Sequence, residues 1–218
     1  MELKKKSWRD VTINEYIELK EKLSDDSLKE YEIEVIKISF SSGIPENEIW
    51  NLSMDDFRSL QIERLWMDEF PLSREAKFKN ISISEERFNI ETDIRKLTVA
   101  QYIDFQTFYP KLKNDDRYIG NVLACFIIPY GKKYADEYDV EKLVNNINDN
   151  LDILTANEIL FFFLKQYLIS TRAIANYLNW LIKMKRKKLK DKKQISEIEQ
   201  KWLMMKKHIL AGLQLLTK

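Results

Sequence analysis

Short apolar stripes at helical spacing alternate along this chain with polar punctuation that carries helix-capping chemistry. In Val11-Thr12-Ile13-Asn14-Glu15-Tyr16, Thr12 can accept from an amide three residues on, while Glu15 reaches back to the Thr12 amide as the other half of a capping box. Val11 and Tyr16 flank the box as a hydrophobic staple, and Ile13, Tyr16, Ile17 and Leu23 share one face of the helix that follows. The same device recurs at Leu97-Thr98-Val99-Ala100-Gln101-Tyr102, an offset of 86 residues. Ser53 before Met54-Asp55-Asp56-Phe57 and Asp139 before Val140-Glu141-Lys142-Leu143 form a second pair of N-caps at the same offset of 86. Between these landmarks, Tyr31 to Phe40 corresponds to Tyr118 to Ile127 with a slip of one residue. The pattern predicts a duplicated helical unit, residues 7–70 and 93–168. The competing explanation is coincidence, since helical proteins reuse capping boxes.

Residues 71–92 have a different texture. Lys77 to Ile83 and Arg87 to Glu91 are short, β-prone and alternating, with Ser84-Glu85-Glu86 as the expected turn of a hairpin. A lone hairpin is marginal in water, so it must pack on a helix or pair with another chain, and an open edge would invite self-association. Further on, Leu154-Thr155-Ala156-Asn157-Glu158-Ile159 repeats the staple and box before Phe161-Phe162-Phe163. Residues 169–218 are expected to be basic helices, with one stripe at Ile174, Leu178 and Leu181 and another from Ile195 to Leu216. The expected fold is mainly α: two copies of a helical unit, a small hairpin between them and a C-terminal helical extension.

Composition sharpens this by exclusion. Among 218 residues there are four glycines, Gly43, Gly120, Gly131 and Gly212, all isolated, and four prolines. No glycine-rich loop exists to cradle a phosphate or dinucleotide, and no cofactor is implied. Collagen-like, linker-like and multi-hairpin β chains need far more turn residues. The longest apolar run, Ile159 to Leu164, is much shorter than a membrane span, and Met1 to Trp8 has no apolar region behind its lysines. Net charge is +1, but residues 171–218 hold 13 Lys and Arg against 3 Asp and Glu. The preceding body carries −9 and the tail +10. Such asymmetry marks an interaction surface.

Reactive chemistry is sparse. Cys125 lies in the apolar Val122 to Ile128 run and is expected to pack as a small apolar group. His208, the only histidine, sits beside Lys206 and Lys207 with no nucleophile turn nearby, and one histidine with one cysteine excludes the usual zinc spacings. Asp25-Asp26, Asp55-Asp56 and Asp115-Asp116 each fall in a turn or a first helical turn, where the helix dipole favours acids. Ile33 to Phe57 has the outline of a helix-turn-helix, but its second segment, Pro45-Glu46-Asn47-Glu48-Ile49-Trp50, is acidic and offers phosphate no base. The segment Lys183 to Lys193, eight bases in eleven residues, is the one feature suited to DNA, an acidic protein surface or anionic lipid. Its expected contacts are Lys185, Arg186, Lys187 and Lys188, and the alternative is a solvated helix or hairpin tip.

Ser7-Trp8-Arg9-Asp10-Val11-Thr12-Ile13, Glu32 to Phe40, Ser42-Gly43-Ile44, Glu48-Ile49 and Leu52, then Asp93 to Asp104 after the hairpin, carry a family resemblance. Over residues 7–165 the chain resembles tailed-bacteriophage tail assembly chaperones and related virion structural-module proteins. The resemblance implies no catalytic residues. It implies a non-enzymatic protein of the host cytoplasm or the virion, working against tail, neck or capsid subunits or further copies of itself, with no membrane partner. The expected protein contacts are Trp8, Tyr16, Trp50, Trp66, Tyr102 and Phe162, the competing reading being that each is core. The basic C-terminal helices depart from the family pattern, and a nucleic-acid-associated role is the alternative they support.

Overall fold

The computed structural model describes residues 4–70, 78–91, 93, 96–134, 138–167 and 169. Met1–Phe161 form one compact unit and Phe162–Lys218 a second. The basic segment 183–193, with Lys185, Arg186, Lys187 and Lys188, and the two apolar stripes after residue 171 lie outside the described residues.

The chain is mostly helical. A 3-10 turn, Trp8–Asp10, leads into α1 (Ile13–Leu23), α2 (Glu30–Ser42), a single turn α3 (Glu46–Ile49) and α4 (Met54–Glu63). A second 3-10 turn, Leu65–Met67, precedes the hairpin β1 (Asn80–Ile83) and β2 (Glu86–Ile90). Then come α5 (Val99–Leu112), α6 (Ile119–Ala124), β3 (Ile127–Pro129), α7 (Val140–Asn150) and a helix α8 over 153–167.

The cap chemistry forms as written in the sequence. Thr12 Oγ1 accepts from the Glu15 amide at 3.3 Å, and the Thr12 amide donates to Glu15 Oε2 at 3.0 Å. At α5 the corresponding bonds are 3.2 Å from the Gln101 amide to Thr98 Oγ1 and 2.9 Å from the Thr98 amide to Gln101 Oε1. Ser53 caps α4 by accepting from the Asp56 amide at 3.1 Å, and Asp139 caps α7 by accepting from the Glu141 and Lys142 amides at 2.9 and 3.1 Å. Each cap satisfies amides that the helix itself leaves without partners.

The surroundings of the two boxes diverge. α2 runs 13 residues and stops at Gly43, whose φ of 72° supplies the left-handed C-cap. A β-carbon there would also come within 2.9 Å of Lys4 Cδ. The segment expected to mirror α2 is instead the six-residue α6 followed by a strand. That strand turns the hairpin into a three-stranded antiparallel sheet, order β1-β2-β3, with Phe88 opposite Pro129 and Ile90 opposite Ile127. The hairpin turn is tighter than expected: Ser84 and Glu85 form it alone at φ 49° and 67°, and Glu86 already belongs to β2. Two successive left-handed residues match the twist of the strands they join, as a type I′ turn requires.

A further difference concerns α8. The sequence pattern places its cap at Thr155, but Asp152 takes that position, accepting from the Thr155 amide at 2.8 Å. The cause is long-range pairing. Thr12 and Asp152 form an antiparallel bridge, with the Ile13 amide donating to Leu151 O at 3.2 Å and the Ile153 amide to Val11 O at 2.8 Å. This extended pairing ends at Asp152 and leaves its carboxylate free to cap.

Two sets of apolar residues hold the layers. Val35, Ile38, Ile49 and Leu60 pack α2, α3 and α4 together, with Ile44, Leu52 and Phe57 at the margin. In the other half Phe88, Phe105, Phe126, Leu123, Ile127 and Ile147 are essentially fully buried. Each such side chain contributes about 1.5–3 kcal/mol relative to exposure. α6 packs closely on α7 because residue 120 is glycine: a β-carbon there would lie 2.2 Å from Asn148 Oδ1.

Candidate protein-contact surface

The N-terminal 3-10 turn presents an aromatic side chain at a fixed angle. Ser7 caps it, its hydroxyl accepting from the Arg9 amide at 3.2 Å and donating to Asp10 Oδ2 at 3.0 Å. The Lys6 amide also donates to Asp10 Oδ2 at 3.1 Å, and this bond leads the interactions that hold the Asp10 carboxyl below its ordinary value. Trp8 is thereby turned inward, and its indole Nε1 donates to Glu69 O at 3.1 Å. Three other rings gather around it. Trp66 meets it edge to face at 5.2 Å, Phe70 is tilted at 5.2 Å, and Tyr16 makes an edge contact at 6.0 Å. Phe70 also touches Tyr16 at 5.9 Å. Arrangements of this kind add about 0.5–1.5 kcal/mol per pair beyond the area they bury. Burial raises the Tyr16 phenol pKa, with the Lys20 charge acting the other way.

An ion-pair network positions Trp66. Arg64, only 6% exposed, donates from Nε to Glu34 Oε2 at 3.0 Å, with a second, shorter bond from Nη2. Its Nη1 grips both Asp68 oxygens at 2.6 and 2.7 Å, and Lys37 donates to Asp68 Oδ1 at 2.9 Å. The fork-like guanidinium thus ties α2 to the turn that carries Leu65, Trp66 and Met67. The Lys37 hydrogen bond, partly opposed by burial and assisted by Arg64, holds the Asp68 carboxyl below its usual range. On the opposite flank Lys5, 8% exposed, reaches Glu15 Oε1 at 2.7 Å and Asp10 O at 3.2 Å. Burial works against the Glu15 charge, but the bonds from Lys5 and the Thr12 amide outweigh it and depress the pKa.

These elements leave a cleft of about 670 Å3 at the surface, walled by Trp8, Leu65, Trp66, Phe70 and Leu154 with Arg9 and Glu69 at the rim. Leu65 remains 56% exposed. Trp66 Nε1 is buried without a hydrogen-bond partner among the described residues. Arg9 links the rim to α8 through Thr155 Oγ1 and Glu158 Oε1, both at 3.4 Å.

Of the six aromatic residues singled out in the sequence, the cleft is lined by Trp8 and Trp66, and Tyr16 joins them only through its ring contact with Trp8. Trp50 stands apart and 55% exposed, meeting Tyr31 edge to face at 5.7 Å. Tyr102 lies on α5, where it, Val99 and Ile103 form an exposed apolar stripe at helical spacing. Phe162 belongs to the second compact unit and contacts Phe163 edge to face at 5.5 Å. Sequence reasoning missed Phe70 and Leu65, although both lie within five residues of Trp66. The spacing of Leu65, Trp66 and Phe70 does not describe one helix face because a 3-10 turn intervenes.

The titratable groups hold structural positions. Cys125 is buried, and burial with the Asp104 charge nearby pushes its thiol up to about 12. Its Sγ donates to Asn121 O at 3.3 Å, while the Tyr134 hydroxyl donates to Asp104 Oδ2 at 2.7 Å. Asp25 accepts from the Ser27 amide, Asp115 pairs with Arg117, and Asp116 pairs with Lys20. Asp56 accepts from the Ser53 hydroxyl at 2.6 Å. Among the described residues no three His, Cys, Asp or Glu side chains are grouped to hold a metal ion. The would-be recognition segment after Gly43 is the four-residue α3, too short to read a groove. Among the described residues no helix is long and apolar enough to cross a membrane.

Comparison with protein-family models, with curated proteins and with solved structures finds no match to this chain.

Proposed function

We propose that this protein is a non-enzymatic bacteriophage assembly or virion protein that acts by docking other proteins, in the manner of a tail assembly chaperone or a ring, neck or cargo component. The aromatic cleft carries the reading. Four rings are packed together beside a buried arginine and a capped 3-10 turn, and three of them, Trp8, Trp66 and Phe70, border open space. Rigid aromatic walls with a charged rim are how protein contacts concentrate binding energy in a few residues. The resemblance of residues 7–165 to tail-module proteins supplies the partner class: tail, neck or capsid subunits, encountered in the host cytoplasm or within the particle.

The test is a pull-down from phage-infected cells with the intact chain and a Trp66→Ala variant, alongside mass spectrometry of purified particles. The expected result is co-purification of a virion subunit that Trp66→Ala weakens about tenfold or more, the loss of one hot-spot residue. Stoichiometric presence in particles assigns the virion role, and absence assigns the assembly role. Capture of no virion subunit in either experiment overturns the proposal. DNA retention by the intact chain with a steep salt dependence, abolished by replacing Lys185, Arg186, Lys187 and Lys188, would favour the nucleic-acid alternative.

A further inference from the structure

The two edges of the small sheet are not equivalent. Along β3 the Tyr130 amide donates to Arg87 O at 2.9 Å and the Glu91 amide donates to Phe126 O at 3.0 Å. In antiparallel pairing, hydrogen-bonded and non-bonded pairs alternate, so the main-chain groups of Ile127 and Pro129 point away from β2. Pro129 has no N–H to offer there, which closes that edge to another strand. On β1 the Ile90 amide donates to Lys79 O at 2.9 Å, and the same alternation turns Ile81 and Ile83 toward β2. The N–H and C=O groups of Asn80 and Ser82 therefore point outward. Both residues are exposed, β1 contains no proline, and no described residue pairs with this edge.

The charges flanking β1 are polar along the strand. Lys79 lies at its start and Glu85 and Glu86 at its end, all three exposed. An antiparallel neighbour with the same sequence brings each positive end against the other negative end, whereas a parallel one stacks like on like. The geometry points to β1 as the pairing edge of a homodimer, two copies joined antiparallel about a two-fold axis at Ile81. That register alone sets Asn80 opposite Ser82 of the second copy, and Ser82 opposite its Asn80, as hydrogen-bonded pairs. Each pair exchanges two main-chain bonds. It also places the two Ile81 side chains side by side, on the face that carries Phe88. A shift by one or two residues forces Ser84, in its left-handed turn, or Phe78 into the ladder and leaves outward groups without partners. An edge of four residues buries little area, so the dimer is weak and concentration-dependent. This inference stands independently of the phage reading.

Sedimentation equilibrium of the full chain across a concentration series tests it, with far-UV circular dichroism as the check on folding. The wild-type chain is expected to dimerise, and Ser82→Pro, which removes one outward N–H, to remain monomeric with an unchanged spectrum. Lys79→Glu is expected to weaken association about tenfold by setting acid against the Glu85 end, and Lys79→Glu with Glu85→Lys to restore it, a rescue that general destabilisation would not produce. A wild-type chain that stays monomeric to about 100 µM, a concentration at which even ~0.1 mM binding is visible, overturns the inference. A dimer unaffected by Ser82→Pro, or a double variant as weak as Lys79→Glu alone, overturns it equally.

Discussion

The halves before and after the hairpin begin with the same capping box and place their aromatic residues in opposite ways. In residues 4–70 the rings of Trp8, Tyr16, Trp66 and Phe70 cluster, three of them lining a surface cleft, and the ion-paired Arg64 and Lys5 lie close by in sequence. In residues 78–161 Phe88, Phe105 and Phe126 are sealed in the interior, with Phe126 edge-on to Phe105 at 5.3 Å. The polar residue that serves this second interior is itself buried: Gln101, 2% exposed, accepts from the Thr98 amide and donates from Nε2 to Cys125 O at 2.9 Å. Glu15, its counterpart, can only accept when ionised, so it draws in Lys5 instead. One atom's difference in the capping side chain thus accompanies a neutral buried hydrogen bond in one half and an ion pair with a buried lysine in the other.

The contrast breaks most directly by truncating one ring in each half. Phe126→Ala should lower unfolding free energy by about 3–5 kcal/mol, the cost of a cavity in a core that cannot collapse. Trp66→Ala, at the half-open cleft, should cost less, about 1–2 kcal/mol for a partly exposed side chain. Urea titration of both variants measures this, and equal losses would erase the distinction between core and surface aromatics. Next is Arg64→Leu, which takes from Glu34 and Asp68 their shared partner but leaves Asp68 its bond from Lys37, and should cost about 1–2 kcal/mol. Tryptophan fluorescence should report loosening of Trp66 in that variant at denaturant concentrations where far-UV circular dichroism is still native. Coincident transitions would mean that the network does not position the cleft.

Acid separates the halves by a smaller, graded effect. The carboxylates of Asp10, Glu15, Asp25 and Asp68 have lowered pKa values and lie before residue 70, whereas Asp115 is the one carboxylate lowered among the described residues after it. A carboxylate whose folded pKa lies below its unfolded value contributes stability that is fully present above the unfolded value, here 3.8 for Asp and 4.5 for Glu. That contribution falls away as pH drops through the folded value. Amides of α1, α2 and α4 should therefore lose exchange protection below about pH 4, before those of α5 and α7 do. Loss in the reverse order would contradict the assignment. The smallest expected effect lies at the junction between the halves. Glu85 holds φ 67° without being glycine, so Glu85→Gly should stabilise the hairpin by about 0.5–1 kcal/mol, readable as a small rise in Tm.

Local chemistry made much of this fold legible. Thr12, Ser53, Thr98 and Asp139 all cap the helices that follow them, because a cap acts within three residues. The hairpin was legible for the same reason, through alternation and a polar turn. β3 was not: Ile127-Ile128-Pro129 looks like the end of an apolar helix until Phe88 and Ile90 stand beside it. The cap of α8 was misplaced at Thr155 because the bridge that frees Asp152 comes from residues far away in sequence. In the aromatic cluster, Trp8, Tyr16 and Trp66 were visible as aromatic residues but not as neighbours. Arg64, which sets their geometry, resembles any other charge on an acidic helix.

The bridge between Thr12 and Asp152 has a kinetic consequence. It closes a loop of about 140 residues, so it forms late compared with the local helices on either side. On the ribosome, the strand around Val11 waits on the order of ten seconds for residues 151–153 to be made. Leu154, which completes the cleft wall, arrives in the same stretch of chain. The aromatic surface is therefore finished only after nearly all of the first compact unit has been synthesised. A partner that recognises this surface meets a folded unit and passes over the nascent one.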